Sequence, residues 1–166
     1  MFQLIPAPLH RAALRLAHAL RRRWWRIARV RLEGCRIIAR DAQGRVLLIR
    51  HSYGSGNWML PGGGIGRREA PLAAALRELA EETALTLVEP RCLAVEEEPL
   101  YGTVNRVHLF TGEAQGEPRC DGREVIEARF FAPDSLPERL SPTLARQLPG
   151  WLERAGVGPT WRPSVR

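Results

Sequence analysis

The four residues Pro61-Gly62-Gly63-Gly64 interrupt the chain with a turn that neither a strand nor a helix can absorb. A helical segment follows. Pro71 is tolerated in a first turn, so the helix is predicted to begin near Glu69 or Ala70. The alanines at 73, 74 and 75 favour it. At 3.6 residues per turn, Leu72, Leu76, Leu79 and Thr83 share one face. Glu78 and Glu82 lie four apart on another, with Glu81 beside them. The pattern predicts leucines against the core and glutamates along a groove at the helix edge, with the small Ala74 leaving open space there.

Three adjacent carboxylates repel one another, by a few tenths of a kcal/mol per solvated pair and more when partly buried. A divalent cation removes that repulsion. Mg²⁺ takes oxygen ligands, usually one or two carboxylates plus substrate phosphates. Glycines let the backbone approach a metal or ligand closely, and a bare carbonyl there completes a coordination sphere. Two glutamates alone read best as a solvated helix face; the glycine turn at a fixed distance favours a metal site. A Walker loop is excluded because the chain has no lysine, and Gly62, Gly64 and Gly66 do not make the G-x-G-x-x-G of a dinucleotide fold.

The stretch resembles the Nudix hydrolase family. That family's box is Gly, five residues, Glu, seven residues, then Arg-Glu-U-x-Glu-Glu-x-Gly-U, where U is a bulky aliphatic. Here it reads Gly63, Glu69 and Arg77-Glu78-Leu79-Ala80-Glu81-Glu82-Thr83-Ala84-Leu85. Only Ala84 departs, standing where the family has glycine. That glycine closes the helix in a left-handed cap, where alanine costs about 1 kcal/mol.

The resemblance implies an α/β/α sandwich with a mixed sheet over residues 31–156. It implies hydrolysis of a nucleoside diphosphate linked to another group, with Mg²⁺ or Mn²⁺ as cofactor. By motif position, Glu78, Glu81 and Glu82 are the metal ligands, helped by the Gly63 carbonyl. Arg77 orients these carboxylates, and Glu69 supports them, with a purely structural salt bridge as the alternative for Glu69. The general base is either a glutamate of the box, Glu81 or Glu82, or Glu124 after the Asp121-Gly122-Arg123 turn; Glu124 is the candidate taken here. Glu127 is expected to pair with an arginine. The strand and loop before the box often bind ligand, which nominates Arg50, His51, Trp58 and Gly62 as substrate contacts; local packing is the alternative for Trp58, and simple solvation for His51. Pro99 and Tyr101 give conflicting signs of substrate, leaving sugar nucleotides, dinucleoside polyphosphates and nucleoside triphosphates open. A non-catalytic nucleotide-binding module and an RNA 5′-end pyrophosphohydrolase are the rival readings.

The net charge of +7 is concentrated at the start of the chain. Residues 1–33 hold eight arginines and one acid, while the remainder balances seventeen of each. Residues 1–30 are expected to form a basic amphipathic helical extension, with Leu9, Leu16, Leu20, Trp24 and Ile27 on one side and arginines opposite. Residues 9–29 suit packing on this domain or on a second subunit of a homodimer, an anionic membrane surface, or RNA. Cys35, Cys92 and Cys120 make no C-x-x-C pair, which fits a reducing cytoplasm, with peripheral membrane attachment left open.

Elsewhere, alternation predicts a hairpin of 33–40 with 45–50, a short strand at 58–60, an irregular strand or strand pair at 85–97, and strands at 103–112 and 124–132. Ser141 to Ala155 reads as a helix kinked or broken at Pro149-Gly150. Glu96-Glu97-Glu98 reads as a solvated acidic patch, with a second metal site as the alternative. Residues 157–166 read as a loose tail.

Overall fold

The computed structural model describes Ala13 and residues 32–100, 103–120 and 122–156. The basic segment 9–29, the tail 157–166, Tyr101 and Asp121 therefore lie outside the described residues, Ala13 apart. Among the described residues from 32 onward, six strands and two helices follow one another: β1 (Leu32–Arg40), β2 (Val46–His51), β3 (Trp58–Met59), α1 (Pro71–Thr83), β4 (Thr86–Leu100), β5 (Thr103–Gln115), β6 (Val125–Phe131) and α2 (Pro142–Arg154). The sheet is mixed, as expected: β1 runs parallel to β5, and the other pairs are antiparallel.

The predicted hairpin forms only at its closed end. β1 and β2 meet at Arg40 and Val46 and then diverge, β1 to pair with β5 and β2 with β3 and β6. The glycine stretch occupies the gap. Cys35 N–H donates to the Gly63 carbonyl (2.9 Å), Ile37 N–H to the Pro61 carbonyl (3.0 Å), and Ile65 N–H to the Glu33 carbonyl (3.1 Å). The turn is thus laced to β1, and its backbone groups are satisfied without a full strand.

Alternation along the strands divides the core into two layers. Cys35, Ile37, Ala39 and Leu47 face α1, together with Leu85, Leu87 and Phe110. Ile38, Val46, Leu48 and Leu109 face α2, where Leu144, Leu148, Trp151 and Leu152 cover them. This is an α/β/α sandwich.

Three expectations need correction. Helix α1 presents Ala74, Ala75, Leu79 and Thr83 to the core, while Leu72 and Leu76 remain 36% exposed. Ala74 fills no groove: it is fully buried against the sheet. Glu78 and Glu82 consequently lie on the inward side of the helix, not along an outer edge. Second, α2 continues through Pro149, capped at its start by the Ser141 hydroxyl, which accepts from Leu144 N–H at 3.3 Å. Burial of Leu148, Trp151 and Leu152 around the proline supports the continuous helix. Third, Glu96 and Glu98 are not a solvated patch. Glu96 accepts from Trp151 Nε1 (3.1 Å) and Arg154 Nη2 (3.0 Å), fastening α2 to β4. Glu98 takes both guanidinium nitrogens of Arg36 (3.0 and 2.7 Å) and the amide of Asn105 (3.2 Å). The expected irregularity of β4 is real: its register shifts twice against β5. Among the described residues, no helix is long and apolar enough to cross a membrane.

Candidate active site

The inward face of α1 brings two carboxylates beneath the glycine turn. Glu82 Oε2 accepts from Gly62 N–H at 2.9 Å, and Glu82 Oε1 lies 3.6 Å from His51 Nε2. Glu78 occupies the space left by the missing side chain of Gly63: a Cβ there would fall 2.5 Å from the Glu78 carboxyl carbon. Gly62 is under greater constraint still. Its φ of 142° lies where L-residues rarely go, and a Cβ would stand 2.2 Å from the Cys35 carbonyl oxygen.

Arg77 ties the cluster together. Its Nε and Nη2 reach the two oxygens of Glu69 at 2.8 and 3.0 Å, and Nη1 reaches Glu78 (2.9 Å) and Glu81 (3.1 Å). Glu69 also accepts from Gly66 N–H at 2.7 Å. One guanidinium therefore fixes three carboxylates by charge-assisted bonds. Glu81 differs from its neighbours. Its side chain is 61% exposed and turned to Arg77, outside the cradle that holds Glu78 and Glu82.

Burial and like charge act in the same direction on the inner pair. Burial pushes the Glu82 carboxyl up to about 8, opposed by the Gly62 N–H and reinforced by the charges of Glu78, Glu124 and Glu81. Glu78 is raised too, by burial first, with Arg77 opposing and Glu81 and Glu124 adding to the rise. At the rim, the Arg77 guanidinium holds Glu69 down at about 2. Burial lifts the Cys35 thiol, packed beneath the turn, to about 11.

Glu124 belongs to the same field, since its charge acts on both Glu78 and Glu82. Its Oε1 accepts from the Tyr53 hydroxyl at 2.7 Å. Arg50 and Trp58 are placed differently. Arg50 pairs with Glu127 at 2.9 Å, the arginine partner expected for that glutamate, and lies over the Trp58 ring. Trp58 packs edge-on against Phe131 with centroids 4.9 Å apart. Neither lines the cleft beside the site, whereas His51 and Gly62 do.

That cleft measures about 400 Å³ and runs from the glycine turn along β1, under the 53–57 loop, to Asn105 and Leu100. Arg36, Tyr53 and Asn105 line it and were not singled out in the sequence. Arg36 and Asn105 owe their place to long-range pairing of β1, β4 and β5, which leaves no local pattern; Tyr53 sits in a glycine-rich loop whose course only the structure gives.

Among the described residues, no three His, Cys, Asp or Glu side chains converge closely enough to hold a metal alone. A buried and a half-buried carboxylate that repel each other, beside an open cleft, suit a cation shared with substrate phosphates, the usual arrangement for Mg²⁺. The Gly63 carbonyl already accepts from Cys35 N–H at 2.9 Å and from the Cys35 thiol at 3.6 Å, so a cation there would have to displace the weak thiol bond.

Fold and site together place an acidic centre beside a cleft on a mixed-sheet sandwich. A profile described as the NUDIX domain matches residues 31–152. A solved MutT NUDIX hydrolase from Burkholderia pseudomallei superposes with a TM-score of 0.65 at 27% identity, over 75% of this chain and 98% of that one. A Bacillus subtilis (strain 168) protein, provisionally named an 8-oxo-dGTP diphosphatase, is 28% identical over 117 residues, 70% of this chain and 76% of its own length. An RNA pyrophosphohydrolase from Saccharophagus degradans is 36% identical over 88 residues, so this chain spans about half of it, 49%. The chain belongs to the NUDIX domain family. It is an enzyme of that family, a pyrophosphohydrolase.

Proposed function

We propose that the protein cleaves a pyrophosphate bond in a nucleoside diphosphate linked to a further group, with Mg²⁺ or Mn²⁺ held by Glu78 and Glu82. Glu81 stands at the solvent rim of the same cluster, and Arg77 with Glu69 sets the orientation of the inner pair. The observation that carries this reading is the seating of Glu82: a buried carboxylate on the Gly62 N–H, pushed up to about 8, directly behind the Gly62 and His51 that line an open cleft. Such a group is costly to the bare fold and suits a site built for a cation.

When bound, the cation screens the diphosphate charge and lowers the pKa of water. The side chains do the rest. Gly62 N–H and His51 hold Glu82 in place, and Arg77 keeps Glu78 turned inward. Glu124 takes a proton from the attacking water. The water oxygen forms a new bond to phosphorus as the bridging P–O bond breaks, and its electron pair leaves with the departing phosphate. The cleft along β1 receives the remainder of the substrate. Nucleoside triphosphates and nucleoside diphosphate conjugates both suit its size, and the name of the Bacillus subtilis relative favours the former.

The test is a panel of nucleoside triphosphates, sugar nucleotides and dinucleoside polyphosphates assayed with Mg²⁺ and Mn²⁺, with the broken bond located by ¹⁸O-water. Glu82→Gln is expected to lower kcat by about 10² or more. Turnover within about threefold of the parent would refute the assignment of Glu82.

A further inference from the structure

We propose that Tyr53 is the positioning residue for the Glu124 carboxylate; this rests on the reading of Glu124 as the base. Glu124 immediately precedes β6, in a loop, where no strand ladder fixes its side chain. Three features of the structure compensate. The 52–57 loop is fastened to it at the backbone: Ser52 N–H donates to the Glu124 carbonyl at 2.8 Å, and the Ser52 hydroxyl to the Arg123 carbonyl at 2.5 Å. The ladder between β2 and β6 then shifts register between Arg50 and His51, so that His51 faces Val125. Such bulges redirect side chains at a strand end. Lastly, the Tyr53 hydroxyl donates to Glu124 Oε1 at 2.7 Å.

The tyrosine is itself held. Its ring stacks on His51, with centroids 4.9 Å apart and planes 26° apart, and His51 approaches Glu82. A continuous series of contacts thus runs from the inner carboxylate Glu82 through His51 and Tyr53 to Glu124. A ring with two side-chain torsions loses little freedom in holding its partner, whereas a glutamate in a loop loses more. The phenol hydroxyl bonded to a carboxylate is a charge-assisted pair, short and directional. Tyr53 therefore acts through Glu124, aiming it toward Glu78 and Glu82, and is not required to touch the metal.

The experiment uses full-length protein, with Tyr53→Phe, Glu124→Gln and the double variant assayed under saturating Mg²⁺. Tyr53→Phe removes one oxygen and keeps the ring stack. It is expected to lower kcat about tenfold with KM within about twofold, because misplacement of a reacting group acts on the chemical step. Mn²⁺ affinity, read by electron paramagnetic resonance, is expected to stay within about twofold, since the inner carboxylates are untouched. In the Glu124→Gln background the same change is expected to alter kcat by less than about twofold, the non-additivity of two residues acting as a unit. Equal losses in both backgrounds, or an unchanged kcat in Tyr53→Phe while Glu124→Gln falls, overturn the positioning role alone. An unchanged kcat in Glu124→Gln overturns the base assignment and the positioning role with it.

Discussion

Gly62 and Glu82, twenty residues apart in sequence, are joined by a 2.9 Å hydrogen bond from backbone N–H to carboxylate. The bond couples the turn to the helix, and its geometry is available only because Gly62 adopts a φ of 142° against the Cys35 carbonyl. The acidic centre is thereby built into the core packing of β1 and α1. Its chemistry and the stability of the fold cannot vary independently.

That coupling makes stability depend on pH in a definite direction. The Glu82 carboxyl is raised from an ordinary 4.5 to about 8, so the folded chain keeps a proton that the unfolded chain releases. The stabilisation is fully present below about pH 4.5 and is lost as pH rises through 8. Metal-free protein is therefore expected to show a falling Tm between pH 5 and 8, in EDTA, by differential scanning calorimetry. Mg²⁺ is expected to raise Tm most at the alkaline end, because the cation favours the ionised carboxylate. Glu82→Gln is expected to reduce the slope, leaving the share that the raised Glu78 contributes in the same direction. Glu69, held at about 2, acts in the opposite sense and only as pH falls below 4.5, outside this window. A Tm independent of pH from 5 to 8 in the parent protein would contradict the burial argument.

The two adjacent glycines are predicted to fail differently when replaced by alanine. At Gly62 the new Cβ meets backbone at 2.2 Å, and the φ is unfavourable as well. Gly62→Ala is expected to destabilise by about 3 kcal/mol or more, and to yield little soluble protein. At Gly63 the obstacle is the Glu78 carboxylate, the far end of a flexible side chain. Gly63→Ala is expected to fold within about 1 kcal/mol of the parent while displacing Glu78, with Mn²⁺ affinity falling about tenfold or more. Urea unfolding and a Mn²⁺ titration separate the two; a Gly63→Ala protein with intact metal affinity would show that Glu78 is not a ligand.

The sequence carried much of this centre because its spacing is helical and local: Glu69, Arg77, Glu78, Glu81 and Glu82 sit within fourteen residues, and the structure does bring the four glutamates to Arg77 or the glycine turn. It was less informative on orientation. Three leucines and Thr83 at helical spacing suggested one face, yet the sheet accepts Ala74 and Ala75 beside Leu79 and Thr83 and leaves Leu72 and Leu76 36% exposed, because a helix lying close on a sheet needs small side chains at the contact. Arg36, Glu98 and Asn105 were not legible as a set. Only the parallel pairing of β1 with β5, and the antiparallel pairing of β4 with β5, gathers them. The fate of the hairpin has the same origin: local alternation gives two strands and a turn, while non-local partners decide how far the strands stay together.

Arg50 and Trp58 were expected to meet substrate, and their contacts point elsewhere. Trp58 is wedged against Phe131 beneath Arg50, which is engaged by Glu127. Trp58→Ala is expected to cost up to about 3 kcal/mol of stability through lost packing. Trp58→Phe, which keeps an aromatic against Phe131, is expected to leave KM for nucleotide within about twofold. The check is a pair of measurements on each variant, Tm and KM. A rise in KM of about tenfold with unchanged Tm would return Trp58 to the substrate site.

Ala84 tests the cap. The helix α1 ends on it in the left-handed conformation, φ 58° and ψ 18°, with its N–H donating to the Ala80 carbonyl at 2.9 Å. The backbone therefore keeps the geometry for which glycine is suited, despite the methyl group. Alanine in this region costs about 1 kcal/mol relative to glycine, partly offset by the extra freedom glycine has when unfolded. Ala84 is exposed, so no packing is lost on removing the methyl. Ala84→Gly is expected to raise Tm by less than the roughly 2–4 °C that a full 1 kcal/mol would give a chain of this size. It touches none of Glu78, Glu81 or Glu82, so Mn²⁺ affinity and kcat are expected to stay within about twofold. A fall in Tm would mean that the unfolded-state entropy of glycine outweighs the relief of the left-handed turn, and that the alanine costs this fold nothing.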